Sequence, residues 1–193
     1  VIGGDGTFTV ASKFNEEFDI PIIGMPGTID NDLAGTDFTI GYDTAINTVV
    51  DAVDKIRDTA ESHDRVFVVE VMGRDSGLIA LRSGISTGAE AVLIPELNVD
   101  YDAIMKRLDK SRSNKSSRII IVAEGDKEGG LVVADKIKEN FPHYDVRVSI
   151  LGHIQRGGKP TCMDRVLASR LGVAAVEGLL EGRRGEMAGL ICG

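Results

Sequence analysis

Short apolar, β-branched runs alternate with amphipathic stretches along almost the whole chain, and this alternation restricts the fold more than any other feature. Residues 20–25, 66–71, 91–94, 119–123 and 145–151 read as strands. Between residues 42 and 60, apolar side chains recur at Tyr42, Ile46, Val49, Val53, Ile56 and Ala60, the spacing of one helix face. Further helices are expected over residues 77–87, 101–110, 131–140 and 164–180, and exposed loops over 98–100 and 110–117. Strands that alternate with helices form βα units, so the expected fold class is α/β, with mostly parallel sheets flanked by helices. In such sheets ligands bind beyond the carboxyl ends of the strands. A motif therefore carries weight here according to whether it follows a strand.

The balance of charge narrows the partners. A formal charge of −8 disfavours nucleic acid or an anionic membrane, since both require a basic surface. An anionic substrate stays open if a few Arg and Lys converge locally. The 23 glycines follow no Gly-X-Y period and gather in no linker tract, so they read as loop glycines of a folded protein. Cys162 and Cys192 lack metal-ligand spacing, and the chain shows no secretory leader or membrane-length apolar run, so a cytoplasmic protein with two free thiols is expected. Val1-Ile2 reads as the tail of a strand that starts upstream, and the chain is expected to be truncated.

Four motifs carry chemistry. Gly3-Gly4-Asp5-Gly6-Thr7 follows the opening strand and leads into a helix, where glycines and unpaired N–H groups can cradle phosphates and Asp5 can serve Mg²⁺. The alternative is an ordinary glycine-rich turn with Asp as cap. Pro26-Gly27-Thr28-Ile29-Asp30-Asn31-Asp32 places two carboxylates in one turn, with Asp30 the candidate base for a sugar hydroxyl and Thr28 positioning the sugar phosphate; an Asx-rich helix cap is the plainer reading. Met72-Gly73-Arg74 follows the 66–71 strand, where Arg74 can neutralise a transferring phosphoryl group or simply be a surface residue. Gly152-His153-Ile154-Gln155-Arg156-Gly157-Gly158 follows another strand, and His153 and Arg156 can converge on one phosphate. Glu124 ends the 119–123 strand, suited to sugar hydroxyls. Arg65 precedes its strand and so lies at the opposite end of the sheet, while Arg147 within a strand implies a partner anion or an edge.

In this order and spacing, GGDGT, PGTIDND, VEVMGR and LGHIQRGG resemble the ATP-dependent 6-phosphofructokinases of bacterial type, over essentially the whole chain. GGDGT alone is shared with NAD kinases and lipid kinases; PGTIDND with GHIQRGG is not. The resemblance implies transfer of the γ-phosphate of MgATP to the 1-hydroxyl of fructose 6-phosphate, in a glycolytic, cytoplasmic homotetramer with shared active sites. It implies two Rossmann-like lobes: an incomplete nucleotide lobe of residues 1–41 and 156–193, and a sugar-phosphate lobe of residues 42–155. Gly4, Asp5, Gly6 and Thr7 would line the ATP phosphates, with Asp5 serving Mg²⁺. Thr28, Asp30 and Arg74 would be catalytic, Asp32 a supporting acid near the metal. Thr28, Asp30, Met72, Gly73, Arg74, Glu124, His153 and Arg156 would bind substrate, and Arg65 and Arg147 would reach the 6-phosphate of a neighbouring subunit.

Pyrophosphate-dependent relatives carry Asp in place of Gly6 and Lys in place of Gly27, so two glycines favour ATP. Effector positions would fall at Arg57, Gly88, Glu90 and Lys115, with a basic cluster around Lys115 thinner than in allosteric members. Against that family the chain is expected to lack an N-terminal segment with a further phosphate loop, and the end of the C-terminal tail. Two alternatives follow: a catalytically silent sugar-phosphate-binding fragment, and a pyrophosphate-dependent phosphofructokinase.

Overall fold

The strand β4 (Arg65–Val71) shows why the chain folds as an open parallel sheet. Val66, Val68 and Val69 are fully buried, a continuous apolar run of the kind required when helices cover both faces of a sheet. The computed structural model describes residues 1–59, 65–110 and 117–192. In it β4 is flanked by β6 (Ser117–Ala123) and β7 (Asp145–Ile150), and β5 (Ala91–Leu93) lies beyond β6, all parallel in the order β5-β6-β4-β7. One face of this sheet presents Val66, Val68, Ile120 and Val122 to a core shared with Ile104 and Leu108 of α4 (Tyr101–Lys110) and Val133 and Ile137 of α5 (Gly129–Asn140). Each such side chain, once buried, contributes roughly 1.5–3 kcal/mol. Successive strand residues point to opposite faces. On the other face α3 (Leu78–Thr87) sits so close that a Cβ on Gly84 would meet Val92 Cγ2 at 2.2 Å.

The chain divides into two compact units, Val1–Thr44 with Lys159–Gly193, and Ala45–Gly158. The boundary falls inside α2 (Tyr42–Thr59), whose buried stripe Tyr42, Ile46, Val49 and Val53 follows the expected helix face. The sheet just described belongs to the second unit. In the first unit β1 (Ile2–Gly3) leads into α1 (Asp5–Phe18), followed by β2 (Ile23–Thr28) and β3 (Ile40–Gly41); α6 (Cys162–Leu180) and β8 (Glu186–Met187) complete it. β2 pairs in parallel with β8 through Ile23 and Gly24, with β1 through Met25 and Pro26, and with β3 through Gly27 and Thr28.

The structure corrects three points of the sequence reading. β2 begins at Ile23 rather than residue 20 and runs on to Thr28, so Pro26, Gly27 and Thr28 belong to the strand instead of following it. The two-residue strands β3 and β8 were not anticipated, being too short to show a period. Within the expected 110–117 loop, Lys110 closes α4 and Ser117 opens β6, while 111–116 lie outside the described residues. Among the described residues no helix is long and apolar enough to cross a membrane.

Candidate active site

In the first unit the glycine-rich turn and the double-aspartate turn are neighbours because β1 pairs with β2. Gly3 lies opposite Pro26, and a Cβ on Gly4 would approach the Thr28 Cβ to 3.6 Å. α1 starts inside the first motif, at Asp5, with Gly4 as N-cap and no side-chain cap. No side chain thus caps the first-turn amides, at the end of the helix that carries partial positive charge. Asp5, Gly6 and Thr7 are exposed. A Cβ on Gly6 would meet no atom within 4 Å, whereas one on Gly3 would strike the Thr7 hydroxyl at 2.3 Å. Gly3 therefore serves packing, while Gly6 borders open space. Gly27 likewise has a packing reason, since its Cβ would meet Ile2 Cγ2 at 2.8 Å.

The second turn is organised by a residue the sequence reading did not single out. Asn31 has φ +54°, a left-handed conformation that Asn tolerates better than most residues. Its Oδ1 accepts from the Thr39 N–H at 2.7 Å, and its Nδ2 donates to the Asp37 carbonyl at 3.0 Å. The Thr39 hydroxyl donates to the Thr28 carbonyl at 2.7 Å, with Asn31 Oδ1 also within 3.0 Å. The Asp30 N–H donates to Thr28 Oγ1 at 3.2 Å, and Asp30 itself is buried while Asp32 is exposed. The loop thus closes on itself around Asn31 and fixes Thr28 and Asp30 in one turn.

In the second unit the ends of three adjacent strands converge. Residues 72–74 follow β4, Glu124 follows β6, and the 3₁₀ turn Gly152–Arg156 follows β7. Gly73 (φ +145°) and Arg74 (φ +52°) both adopt positive φ, and for Arg this is a strained conformation. Glu124 Oε1 accepts from the N–H groups of Gly73 at 3.2 Å and Arg74 at 2.8 Å. The N–H of Met72 donates to Gln155 Oε1 at 3.2 Å. Beneath the loop, a Cβ on Gly125 would lie 2.0 Å from the Arg74 carbonyl oxygen, so only glycine fits. His153 and Arg156 are exposed on either side of Gln155, which is buried.

Arg65 and Arg147 lie elsewhere. Both ion-pair with Asp145, Arg65 Nε at 3.3 Å and Arg147 Nε at 3.0 Å, at the opposite end of the sheet. The length of β4 separates Arg65 from the 72–74 loop by about 20 Å. β7 is an edge strand and Asp145 supplies a partner carboxylate, so both features weighed for Arg147, an anion and an edge, are present. Of the four positions expected to meet an effector, Arg57 donates through its guanidinium to the Thr87 carbonyl, next to Gly88, which closes α3 with φ +64°. The Glu90 N–H donates to the Ile119 carbonyl at 2.7 Å. Lys115 lies outside the described residues.

Downstream of Glu124, Glu128 receives Lys136 Nζ at 2.7 Å on both oxygens and the Tyr101 hydroxyl on Oε2, tying α4 to α5. Lys136 and Tyr101 hold the Glu128 carboxyl below its usual range. Burial, then the Glu128 carboxylate, push the Tyr101 phenol well above its own. Sequence spacing gave no sign of this clamp.

The sequence profile described as Phosphofructokinase matches residues 1–179. This chain belongs to the phosphofructokinase family. It is 61% identical, over 98% of its length, to a protein of Cytophaga hutchinsonii named ATP-dependent 6-phosphofructokinase, and covers 58% of that protein. It is 56% identical over 98% of its length to ATP-dependent 6-phosphofructokinase 2 of Bacteroides thetaiotaomicron, covering 59% of it. The chain thus spans somewhat over half the length of these curated relatives.

Among solved structures it resembles phosphofructokinase from Saccharomyces cerevisiae (TM-score 0.87, 36% identity, 94% of this chain and 28% of that one). It also resembles a pyrophosphate-dependent phosphofructokinase from Marinobacter aquaeolei (TM-score 0.77, 27% identity, 94% and 52%). The α/β fold with parallel sheets between helices is that of the phosphofructokinases.

Proposed function

We propose that the natural protein carrying this chain is an ATP-dependent 6-phosphofructokinase, transferring the γ-phosphoryl group of MgATP to the 1-hydroxyl of fructose 6-phosphate. The observation that carries this reading is the 61% identity to a protein of that name over 98% of the chain. The pyrophosphate-dependent structures stand at 26–27%.

In this reading the first unit handles the donor and the proton. The α1 amides with Gly4, Gly6 and Thr7 bind the ATP phosphates. The exposed Asp5 carboxylate, with no protein partner among the described residues, suits a hard cation held mainly by phosphate and water. No cluster of three or more candidate metal ligands occurs among the described residues, and Mg²⁺ in phosphoryl transfer needs only one or two carboxylates. Bound there, Mg²⁺ would neutralise charge on the β- and γ-phosphates. Thr28 positions the sugar, and Asp30 takes the proton of its 1-hydroxyl as the new O–P bond forms and ADP leaves; Asp32 supports the metal side. The open space beside Gly6 supports ATP as donor, whereas Gly27 is explained by packing against Ile2.

The second unit handles the acceptor. Met72, Gly73 and Arg74 contact the sugar phosphate, with Arg74 nearest the transferring group, while Glu124, His153 and Arg156 hold the sugar and its phosphate. Arg65 and Arg147, far from these strand ends, act on the 6-phosphate bound to a neighbouring subunit of a cytoplasmic, glycolytic tetramer. Arg57, Gly88, Glu90 and Lys115 are the positions for an effector. Residues 1–41 with 156–193 form the nucleotide lobe and 42–155 the sugar-phosphate lobe, with Arg156, at the boundary in sequence, serving the sugar phosphate.

The test is a coupled assay for fructose 1,6-bisphosphate, on this chain and on the natural full-length polypeptide, with ATP and pyrophosphate supplied separately. Turnover of the full-length protein with ATP alone is expected. Turnover with pyrophosphate alone would transfer the reading to the other donor class. If only this chain is inactive yet binds fructose 6-phosphate, the chain by itself is a silent binding piece.

A further inference from the structure

Within the His153–Arg156 turn, one side chain points away from solvent and into the neighbouring loop. Gln155 is 1% exposed, between the exposed Ile154 and Arg156. Its Oε1 accepts from the Met72 N–H at 3.2 Å, and its Nε2 donates to the Gly152 carbonyl at 3.1 Å. The orientation of the amide is set by these neighbours, because one offers only a donor and the other only an acceptor. Gln155 therefore bridges two loops that leave adjacent strands, β4 and β7. Its contact falls on the first residue of a loop whose next two residues both have positive φ. A backbone of this kind persists only where its surroundings hold it. Here the holders are Gln155 on the Met72 amide, Glu124 on the Gly73 and Arg74 amides, and Gly125 beneath the Arg74 carbonyl.

We infer that Gln155 is a positioning residue for fructose 6-phosphate: it touches no substrate itself, but fixes the 72–74 loop against the His153–Arg156 turn so that both present their side chains in register. The inference rests on the functional reading above. It also separates two duties within one motif, His153 and Arg156 facing outward to the phosphate and Gln155 facing inward to the loop. A Gln anchored to its own turn at Gly152 and hydrogen-bonded to the backbone of a second loop at Met72 does more than fill volume, since an apolar residue of similar size would leave the buried Met72 N–H unpaired.

The test compares wild type, Gln155→Met and Gln155→Glu in the natural full-length polypeptide. Gln155→Met keeps the volume and removes both hydrogen bonds. It is expected to raise the KM for fructose 6-phosphate roughly five- to tenfold, the equivalent of one lost buried hydrogen bond, with the KM for ATP unchanged. Gln155→Glu retains an oxygen for the Met72 N–H but sets its other oxygen against the Gly152 carbonyl in a buried site, and is expected to bind fructose 6-phosphate no better than Gln155→Met. An unchanged KM for fructose 6-phosphate, with activity lost only in proportion to folded protein, would reduce Gln155 to core packing and overturn the inference.

Amide hydrogen exchange of unliganded wild type gives a reading that survives poor folding of either variant. The Met72 and Arg74 amides are expected to be protected before any sugar phosphate is added, and rapid exchange there would overturn the brace. A wild type that neither binds nor turns over fructose 6-phosphate would overturn the functional reading, and this role with it. That result is distinct from a failure confined to the variants.

Discussion

The buried carboxylate of Asp164 accepts from the Thr44 N–H at 2.8 Å and from the Thr44 hydroxyl, fastening α6 to the first turn of α2 within the first unit. Its other oxygen accepts from the Gly41 N–H at 2.9 Å, so one side chain caps a helix to which it does not belong. Asp164→Ala would take a buried acceptor from these half-buried donors and is expected to lower unfolding free energy by roughly 2–4 kcal/mol. Asp164→Asn, keeping one acceptor, should lose about half as much. Urea unfolding midpoints decide it, and an unchanged midpoint for the Ala variant would remove the cap from the account.

Asp30 is buried in a turn closed by the Asn31 and Thr39 hydrogen bonds. Asp30→Ser, which keeps a small polar side chain there, is expected to reduce turnover of the full-length protein roughly 10²–10⁴-fold while the protein still folds. Near-normal turnover would take the proton-accepting role away from Asp30.

At Gly6 the space beside the helix start is empty of protein atoms within 4 Å. Gly6→Asp should therefore fold normally yet oppose an anion bound at the first-turn amides. Two like charges 4 Å apart repel by about 4 kcal/mol at an effective dielectric of 20, and a third of that is already about a tenfold loss. A tenfold or greater fall in kcat/KM for ATP is expected. An unaltered value would mean that no phosphate passes near residue 6.

The Glu128 carboxyl is held below its usual range by Lys136 and Tyr101, which fixes the sign of its pH dependence. A depressed carboxyl contributes stability that is present above its unfolded value, about 4.3, and fades as pH falls through the folded one. Glu128→Gln should therefore be less stable than wild type at pH 7, with the gap narrowing as pH falls below about 4.3. With Lys136 and Glu128 side chains 38% and 30% exposed, the gap at pH 7 should be below about 1 kcal/mol. A gap that does not narrow on acidification would show that the ion pair is not its source.

Much of this molecule was legible because its signals are local. The buried runs of β4 and β6 and the stripe of α2 read directly as central strands and a helix face, and residues 72–74, Glu124 and the Gly152–Arg156 turn each follow a strand as expected. β2 was cut short because Pro26 and Gly27 ordinarily end a strand. It continues because its partners change around them, from β1 at Pro26 to β3 at Gly27. The residues that hold the loops were harder to see. Thr39 and Asp164 act across gaps of 8 and 123 residues, and no spacing rule connects positions that only the fold brings together. Gln155 stood inside a motif already marked, but its neighbours His153 and Arg156 carried the obvious chemistry, and the inward turn of its side chain is a property of the 3₁₀ backbone.

The successive pairing of β2 with β8, β1 and β3 makes six residues a shared ruler for three other segments. A point substitution on that ruler disturbs one neighbour, whereas a single inserted or deleted residue would throw the pairings out of step and turn alternate side chains to the wrong face. The stretch from Ile23 to Thr28 should therefore hold its length even more strictly than its composition, and insertions should collect in the connections on either side.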